Sequence, residues 1–251
     1  MKPLALVTGG QQGIGLGIAQ ALAKQGFRLA IASRSAPEDT TVQTALQSLP
    51  DARYYRHDLS NLAAIPRLLD QIEAHQGPLD ALIQNAGVAA KVRGDMLDLT
   101  PENFDWIMGV NLRGAFFLAQ QVAKRMLATP SPHYRSITFV TSVSAQMASP
   151  ERADYCISKT GAAMAAQTLA LRLAPHNIGV FELRPGIIET GMTAGVKDKY
   201  DTRIAEGLVP AGRWGQPSDI GQAVIPLVTG QLAFATGAVI PVDGGLSIER
   251  L

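Results

Sequence analysis

Tyr155 and Lys159 stand four residues apart in a stretch rich in Ala, Leu and Met, the composition of a helix. Residues at that spacing share a helix face, so a phenol and an amine project side by side. An isolated phenol, with a pKa of about 10, donates a proton but hardly accepts one near pH 7. An adjacent ammonium favours phenolate, and the pair becomes a usable general acid and base. Upstream, Ser142 closes the apolar run Ile137, Thr138, Phe139, Val140, which reads as a buried strand. A hydroxyl at such a strand end could hold a reacting oxygen. Taken alone, Tyr-x-x-x-Lys is equally a surface pair on any helix, so the surrounding elements decide.

Residues 4–7 form a short apolar strand candidate, followed by Thr8, Gly9, Gly10, Gln11, Gln12, Gly13, Ile14 and Gly15, then by Ile18, Ala19, Leu22 and Ala23 at helical spacing. Strand, glycine turn and helix make a phosphate-binding unit: glycines let the backbone approach a pyrophosphate, whose charge sits at the helix N-terminus. The spacing is Gly9-x-x-x-Gly13-x-Gly15 rather than G-x-G-x-x-G. A second strand, residues 29–32, ends at Ser33 and Arg34, near the offset where an acidic side chain would bind the adenosine ribose. No Asp or Glu stands there. An arginine can pair with the 2′-phosphate of NADP, so NADP(H) is favoured over NAD(H), a solvated turn residue being the alternative. The glycine loop offers no second basic residue, only Gln11 and Gln12.

The alternation continues with a helix over 38–49, a strand over 53–57 closed by Asp58 and Leu59, a helix over 62–74, and a strand over 79–83 ended by Gln84, Asn85, Ala86 and Gly87. Strands alternating with helices imply an α/β fold, a parallel sheet covered on both faces, with ligands at the carboxyl ends of the strands. Asp58 and the turn from Asn85 through Ala86 to Gly87 both sit at such ends. Thr100, Pro101 and Glu102 read as a helix start. That helix runs through Trp106 and Asn111 to about residue 127, and a buried Asn111 would need hydrogen-bond partners. A strand over 137–140, the Tyr155 helix to about 174 and a strand over 178–183 follow. Pro185 and Gly186 open an irregular region, 187–215, whose mixed charges at Lys197, Asp198, Lys199, Asp201 and Arg203 suggest a solvated, mobile cover over a pocket. A helix over 218–227 and a strand over 238–242 complete the pattern. Closeness to the chemistry-bearing positions makes Ser144, Gln146, Met147, Ile187 and Met192 candidate substrate contacts, a mixed and partly apolar wall.

Composition narrows the class. The 251 residues are 47% hydrophobic and 17% charged, as expected of one large soluble domain. Lys and Arg total 22 against 21 for Asp and Glu, without charge runs, so no nucleic-acid partner is expected. A single cysteine, Cys156, forms no internal disulfide and suits a reducing cytoplasm. The start of the chain leaves no room for a signal peptide's apolar region, and the uncharged stretch after Lys159 is too short for a bilayer. His57, His75, His133 and His176 are scattered without metal-site spacing, so no metal is expected.

With these residues assembled, the whole chain resembles the short-chain dehydrogenase/reductase family, in the group that includes 3-oxoacyl-[acyl-carrier-protein] reductases. The motifs Thr8-Gly9-x-x-x-Gly13-Ile14-Gly15, Asp58, Asn85-Ala86-Gly87, Asn111, Ser142, Tyr155-x-x-x-Lys159 and Pro185-Gly186-x-x-x-Thr190 fall in the family's order. Arg213-x-Gly215-x-Pro217-x-Asp219-Ile220 and Val242-Asp243-Gly244-Gly245 extend the match to the C-terminus.

The resemblance implies a single Rossmann-type domain of seven parallel strands that transfers a hydride between nicotinamide C4 and a carbonyl or alcohol carbon. By position, Ser142 would hold the substrate oxygen, Tyr155 exchange its proton, Lys159 bind the nicotinamide ribose, and Asn111 anchor a water linking Lys159 to solvent. Gly9, Gln12, Gly13, Ile14, Gly15, Ser33, Arg34, Asp58 and Leu59 would line the phosphate and adenosine sites. Asn85, Ala86 and Gly87 would meet the adenine-side ribose; Pro185, Gly186, Ile188 and Thr190 would lie by the carboxamide. The helices around Asn111 and Tyr155 commonly build a tetramer in the family. The substrate would be a 3-oxoacyl thioester, with a sugar, a polyol or another small alcohol or ketone as the alternative. Lys124, Arg125 and Arg172 are candidate docking charges for an acidic carrier protein. Three positions depart from the family's pattern: Gln84 replaces an Asn, Phe181 stands where an Asn is common, and Arg184 precedes Pro185. A nucleotide-binding sensor would be expected to have lost Ser142, Tyr155 or Lys159, and a methyltransferase has no use for the Tyr155 and Lys159 pair.

Overall fold

The computed structural model describes residues 2–91 and 93–250. Its seven strands are β1 Leu4–Thr8, β2 Arg28–Ser33, β3 Ala52–Arg56, β4 Ala81–Gln84, β5 Arg135–Val140, β6 Ile178–Pro185 and β7 Val239–Val242. They form one sheet in the order β3-β2-β1-β4-β5-β6-β7, and every pairing is parallel. The expected α/β Rossmann-like fold is therefore present. A strand covered on both faces is a continuous apolar run, and β1 is buried at every position. The chain order reverses between β1 and β4, the switch point where such sheets open a crevice.

Two apolar layers clamp the sheet. On one face, Leu69, Leu118, Val122 and Ala166 of α3 (Ile65–Gln76), α5 (Ala115–Ala128) and α6 (Ala153–Leu173) pack on Leu6, Leu82 and Ile137. On the other, Ile18 and Leu22 of α1 (Gly13–Lys24) and Ile220 and Val224 of α8 (Pro217–Val228) pack on Val7, Ile31 and Ile83. A Cβ at Gly17 would overlap the Pro217 carbonyl, so glycine is what lets α1 and α8 touch backbone to backbone. The Arg213 to Ile220 motif explains itself structurally. Asp219 accepts from the Gln216 amide at 2.7 Å, closing a capping box at the start of α8, and Arg213 pairs with the same carboxylate at 2.7 Å.

Most boundaries shift by one to three residues, with α2 at Thr40–Ser48. Two differences are larger. The single helix expected from Pro101 to residue 127 is α4 (Pro101–Ile107), a π-helical segment Met108–Gly114, and α5. The irregular region 187–215 contains a helix, α7, at Lys197–Ala205, whose one buried residue is Ile204. Its charges pair rather than merely solvate: Lys197 Nζ lies 3.1 Å from Glu189 and 3.6 Å from Asp201 one turn on.

Candidate active site

The first turn of α6 carries Tyr155 and the second Lys159. Lys159 Nζ lies 5.6 Å from the Tyr155 ring centroid, with the Arg152 guanidinium 5.8 Å from the same ring. Lys159 is only 6% exposed, and its ammonium donates to the Val140 carbonyl at 3.1 Å. That carbonyl ends β5, two residues before Ser142, so one bond ties α6 to the strand end bearing the candidate hydroxyl. Ser142 itself caps a short turn: its Oγ accepts from the Ser144 amide at 3.1 Å.

Asn111 sits in the π-helical segment and is 3% exposed. Its Oδ1 accepts from the Val88 amide at 2.7 Å, and its Nδ2 donates to the Val88 carbonyl at 3.0 Å and to Ser158 Oγ at 3.3 Å. Ser158 Oγ in turn donates to the Tyr155 carbonyl at 2.8 Å. A chain of hydrogen bonds thus runs from the turn after β4 to the backbone of the tyrosine. The inserted width of a π-turn is what lets a mid-helix amide reach inward, and such turns favour functional sites. A Cβ added to Gly87 would lie 3.2 Å from Asn111 Oδ1 and 3.6 Å from Lys159 Nζ, so all three candidates converge.

The glycine loop fits a nucleotide pyrophosphate. Gly9 and Gly13 adopt φ of 67° and 51°, left-handed values that other residues adopt with strain. Gln12 occupies the N-cap of α1 without a side-chain bond to the first turn, and no acidic residue stands there. The leading amides of α1, from Gly13 through Ile14 and Gly15, therefore lack a capping side chain, as suits a helix start that receives an anion. A Cβ at Gly13 would lie 3.4 Å from Thr190 Cγ2, so the loop meets the segment after Gly186. Asn85 is a clip: its Nδ2 donates to the Thr8 carbonyl at 2.9 Å, while the amides of Asn85 and Ala86 donate to Thr8 Oγ1 at 3.0 Å. Gln84, the departure from the family's Asn, is buried and donates to the Ala115 carbonyl at 2.7 Å, a link between the sheet end and α5.

At the far end of the groove, Ser33 is buried and its Oγ lies 2.7 Å from Tyr54 Oη. Arg34 is exposed, its guanidinium 5.5 Å from the Trp106 ring centroid. Lys91 Nζ lies 4.4 Å from the same ring. Sequence reading missed both Lys91 and Trp106. Asp58 Oδ1 accepts from the Ser60 amide at 2.9 Å and hydroxyl at 2.7 Å. Burial pulls its pKa upward, but the Ser60 bonds and the Arg34 charge outweigh it and hold the carboxyl below the usual range. Leu59 beside it is buried.

Across the cleft, Pro185 ends β6 and the Gly186 amide donates to the Val242 carbonyl at 3.1 Å. Ile188 is buried and bridges to Gly215, and Thr193 Oγ1 holds the Ile188 carbonyl at 2.9 Å and accepts from the Thr190 amide at 3.0 Å. Of the substrate candidates, Gln146, Met147 and Met192 are exposed, Ile187 is half-buried and Ser144 is buried, 4% exposed. Arg125 is not a free docking charge: its guanidinium reaches Glu73 at 2.5 Å and Asp70 at 2.6 Å. Among the described residues no group of three or more His, Cys, Asp or Glu could hold a metal, and no helix is long and apolar enough to cross a membrane.

Known proteins bear on this geometry. A family model described as enoyl-(acyl carrier protein) reductase matches residues 9–247. A 3-oxoacyl-[acyl-carrier-protein] reductase, MabA, of Mycobacterium bovis is 33% identical over 247 residues, covering 97% of this chain and 92% of that protein. The 2-dehydro-3-deoxy-D-gluconate 5-dehydrogenase of Escherichia coli is 32% identical over 96% of this chain and 94% of its own length. A crystal structure of a 3-oxoacyl-[acyl-carrier protein] reductase from Brucella melitensis in complex with NAD is 49% identical, with a TM-score of 0.96, covering 100% of this chain and 99% of that one. Match, fold and nicotinamide-binding relatives agree over nearly the full length: the chain belongs to the short-chain dehydrogenase/reductase family and is a nicotinamide-dependent oxidoreductase of carbonyl and CH–OH groups.

Proposed function

We propose that this chain is an NADP(H)-preferring reductase of 3-oxoacyl thioesters, working in the cytoplasm with its whole length as one nucleotide-binding domain. The observation that carries the reading is the junction of Lys159 with the Val140 carbonyl, which brings the Tyr155 pair to the strand end bearing Ser142. Ser142 holds the substrate oxygen and Tyr155 gives its proton to the developing alkoxide. Lys159 contributes positive charge beside the ring. Both amide hydrogens of Asn111 are committed to Val88 and Ser158, so its side chain braces the turn after β4 against the helix that carries Tyr155 and Lys159. The glycine loop from Gly9 to Gly15 would hold a reduced nicotinamide nucleotide, which would supply the hydride.

The coenzyme preference is supported by Arg34 and by Lys91, the second cation that the glycine loop lacks. NAD is the competing reading, favoured by the Brucella structure's ligand, and a hexonate substrate is favoured by the Escherichia coli relative. Initial rates of NADPH and NADH oxidation with a 3-oxoacyl thioester and with a keto-gluconate separate these. In Tyr155→Phe, kcat falls by about 10³ while NADPH binding persists; unchanged turnover would reject the mechanism.

Association into a homo-oligomer, a tetramer by family habit, is supported by α6. Ile157, Met164 and Leu171 recur every seven residues and are 47%, 57% and 80% exposed, an apolar stripe on a helix whose other face is in the core. Light scattering of the purified chain reads the assembly, and a monomer at micromolar concentration rejects it.

A further inference from the structure

Glu182 is 1% exposed on β6, one strand in from the β7 edge of the sheet, and β6 carries a second charge, Arg184, two residues on and therefore on the same face. The carboxylate is fully engaged. Its Oε1 accepts from Arg184 Nε at 2.7 Å and from Thr141 Oγ1 at 2.6 Å, and its Oε2 accepts from Arg184 Nη2 at 3.2 Å. A buried pair of this kind is weak evidence for stability, because desolvation offsets much of the attraction. Its placement argues for orientation instead. Thr141 immediately precedes Ser142, and Arg184 immediately precedes Pro185 and Gly186.

One guanidinium nitrogen remains. Arg184 Nη1 donates to Gln146 Oε1 at 3.0 Å. A guanidinium has donors only, so it fixes which end of the amide it holds. The oxygen of Gln146 is turned to Arg184 and the NH2 end is left for whatever enters the exposed side of the Ser142 to Met147 turn.

We propose that Glu182 and Arg184 are positioning residues that lock Gln146 as a hydrogen-bond donor to a second oxygen of the substrate, close to the reacting carbonyl. The assignment rests on the carbonyl-reductase reading above and specifies its substrate class: ketones carrying a neighbouring acceptor oxygen. A thioester carbonyl and a sugar-acid oxygen share that chemistry.

The experiment compares three probes with NADPH: a 3-oxoacyl thioester, a keto-gluconate, and a simple ketone of similar size without the second oxygen. Gln146→Glu keeps a partner for Arg184 but removes the donor, so KM for the oxygenated probe rises about tenfold while kcat and the simple ketone's KM stay within twofold. Arg184→Met frees the amide to rotate and shifts KM in the same selective way, by less. Thermal midpoints monitored in parallel show whether a variant merely unfolds; the Gln146→Glu midpoint stays at or above that of wild type. Equal KM changes for all probes, or none in Gln146→Glu, overturn the assignment and leave the reductase reading standing. A wild-type chain that reduces none of the three rejects both. Which oxygenated probe responds tells the thioester from the sugar acid.

Discussion

At the Tyr155 end of the groove three candidate side chains are held by backbone: Lys159 by the Val140 carbonyl, Asn111 by both polar groups of Val88, Ser142 by the Ser144 amide. At the Arg34 end the cations are exposed and both lie against the Trp106 indole, Lys91 at 4.4 Å and Arg34 at 5.5 Å from its centroid. Reaction geometry tolerates displacements well below 1 Å, so groups that exchange protons are held by buried hydrogen bonds. Coenzyme discrimination needs only a favourable potential around a phosphate, which mobile surface cations supply. Substitutions at the first end should therefore cost fold and chemistry together, and those at the second should change only which nucleotide is preferred.

Beyond the Tyr155 hydroxyl itself, the largest effect is expected for Asn111→Leu. It strands the Val88 amide and carbonyl, each a part-buried polar group with a lost partner, for a loss of about 1–3 kcal/mol in urea unfolding. Turnover falls by about 10² as the π-helical turn relaxes. A variant with normal stability and reduced turnover would separate the two roles; one with normal values of both would end the contrast between the two ends.

A second, smaller effect distinguishes the coenzymes. Replacing Arg34 and Lys91 together by Ala should raise the NADPH KM about 10- to 50-fold, leave the NADH KM within about twofold, and leave the unfolding midpoint unchanged. The single Lys91→Ala variant sharpens the point, since a cation acting only by stacking on Trp106 would show no difference between NADPH and NADH. The NADPH KM of wild type should also rise with salt more steeply than that of the double variant.

The same division marks what the chain discloses before folding. Tyr155 and Lys159 were legible because a helix turns four residues into neighbours, and the strands were legible as apolar runs. Asn111 could be named but not understood: a π-turn leaves no trace in apolar spacing, and only the structure gives its amide partners. Lys91 was invisible because nothing local relates residue 91 to residue 34; they meet through Trp106 on a third element. Helix α7 was missed because its charges pair with Glu189 and with each other instead of marking an apolar face. The Glu182 and Arg184 pair left a readable signal, two charges in alternate positions of a strand otherwise buried, with Arg184 visible as a departure but its partner unrecognised.

The smallest predicted effect lies between the two ends. His57, 7% exposed at the carboxyl end of β3, has its pKa lowered by burial, opposed by the neighbouring Asp58 charge, and its Nε2 finds no partner among the described residues. The unfolded chain binds its proton near pH 6.5, so it takes up a proton before the native state does. Stability from this group is complete above pH 6.5, declines as pH falls from there through the lower folded value, and levels off beneath it. Thermal midpoints followed from pH 8 to 5 should show this loss in wild type and a flatter profile in His57→Gln. A coenzyme preference that stays constant across the same range places the titration in the scaffold; one that shifts with the histidine would mean that the adenosine end is also governed by a buried group.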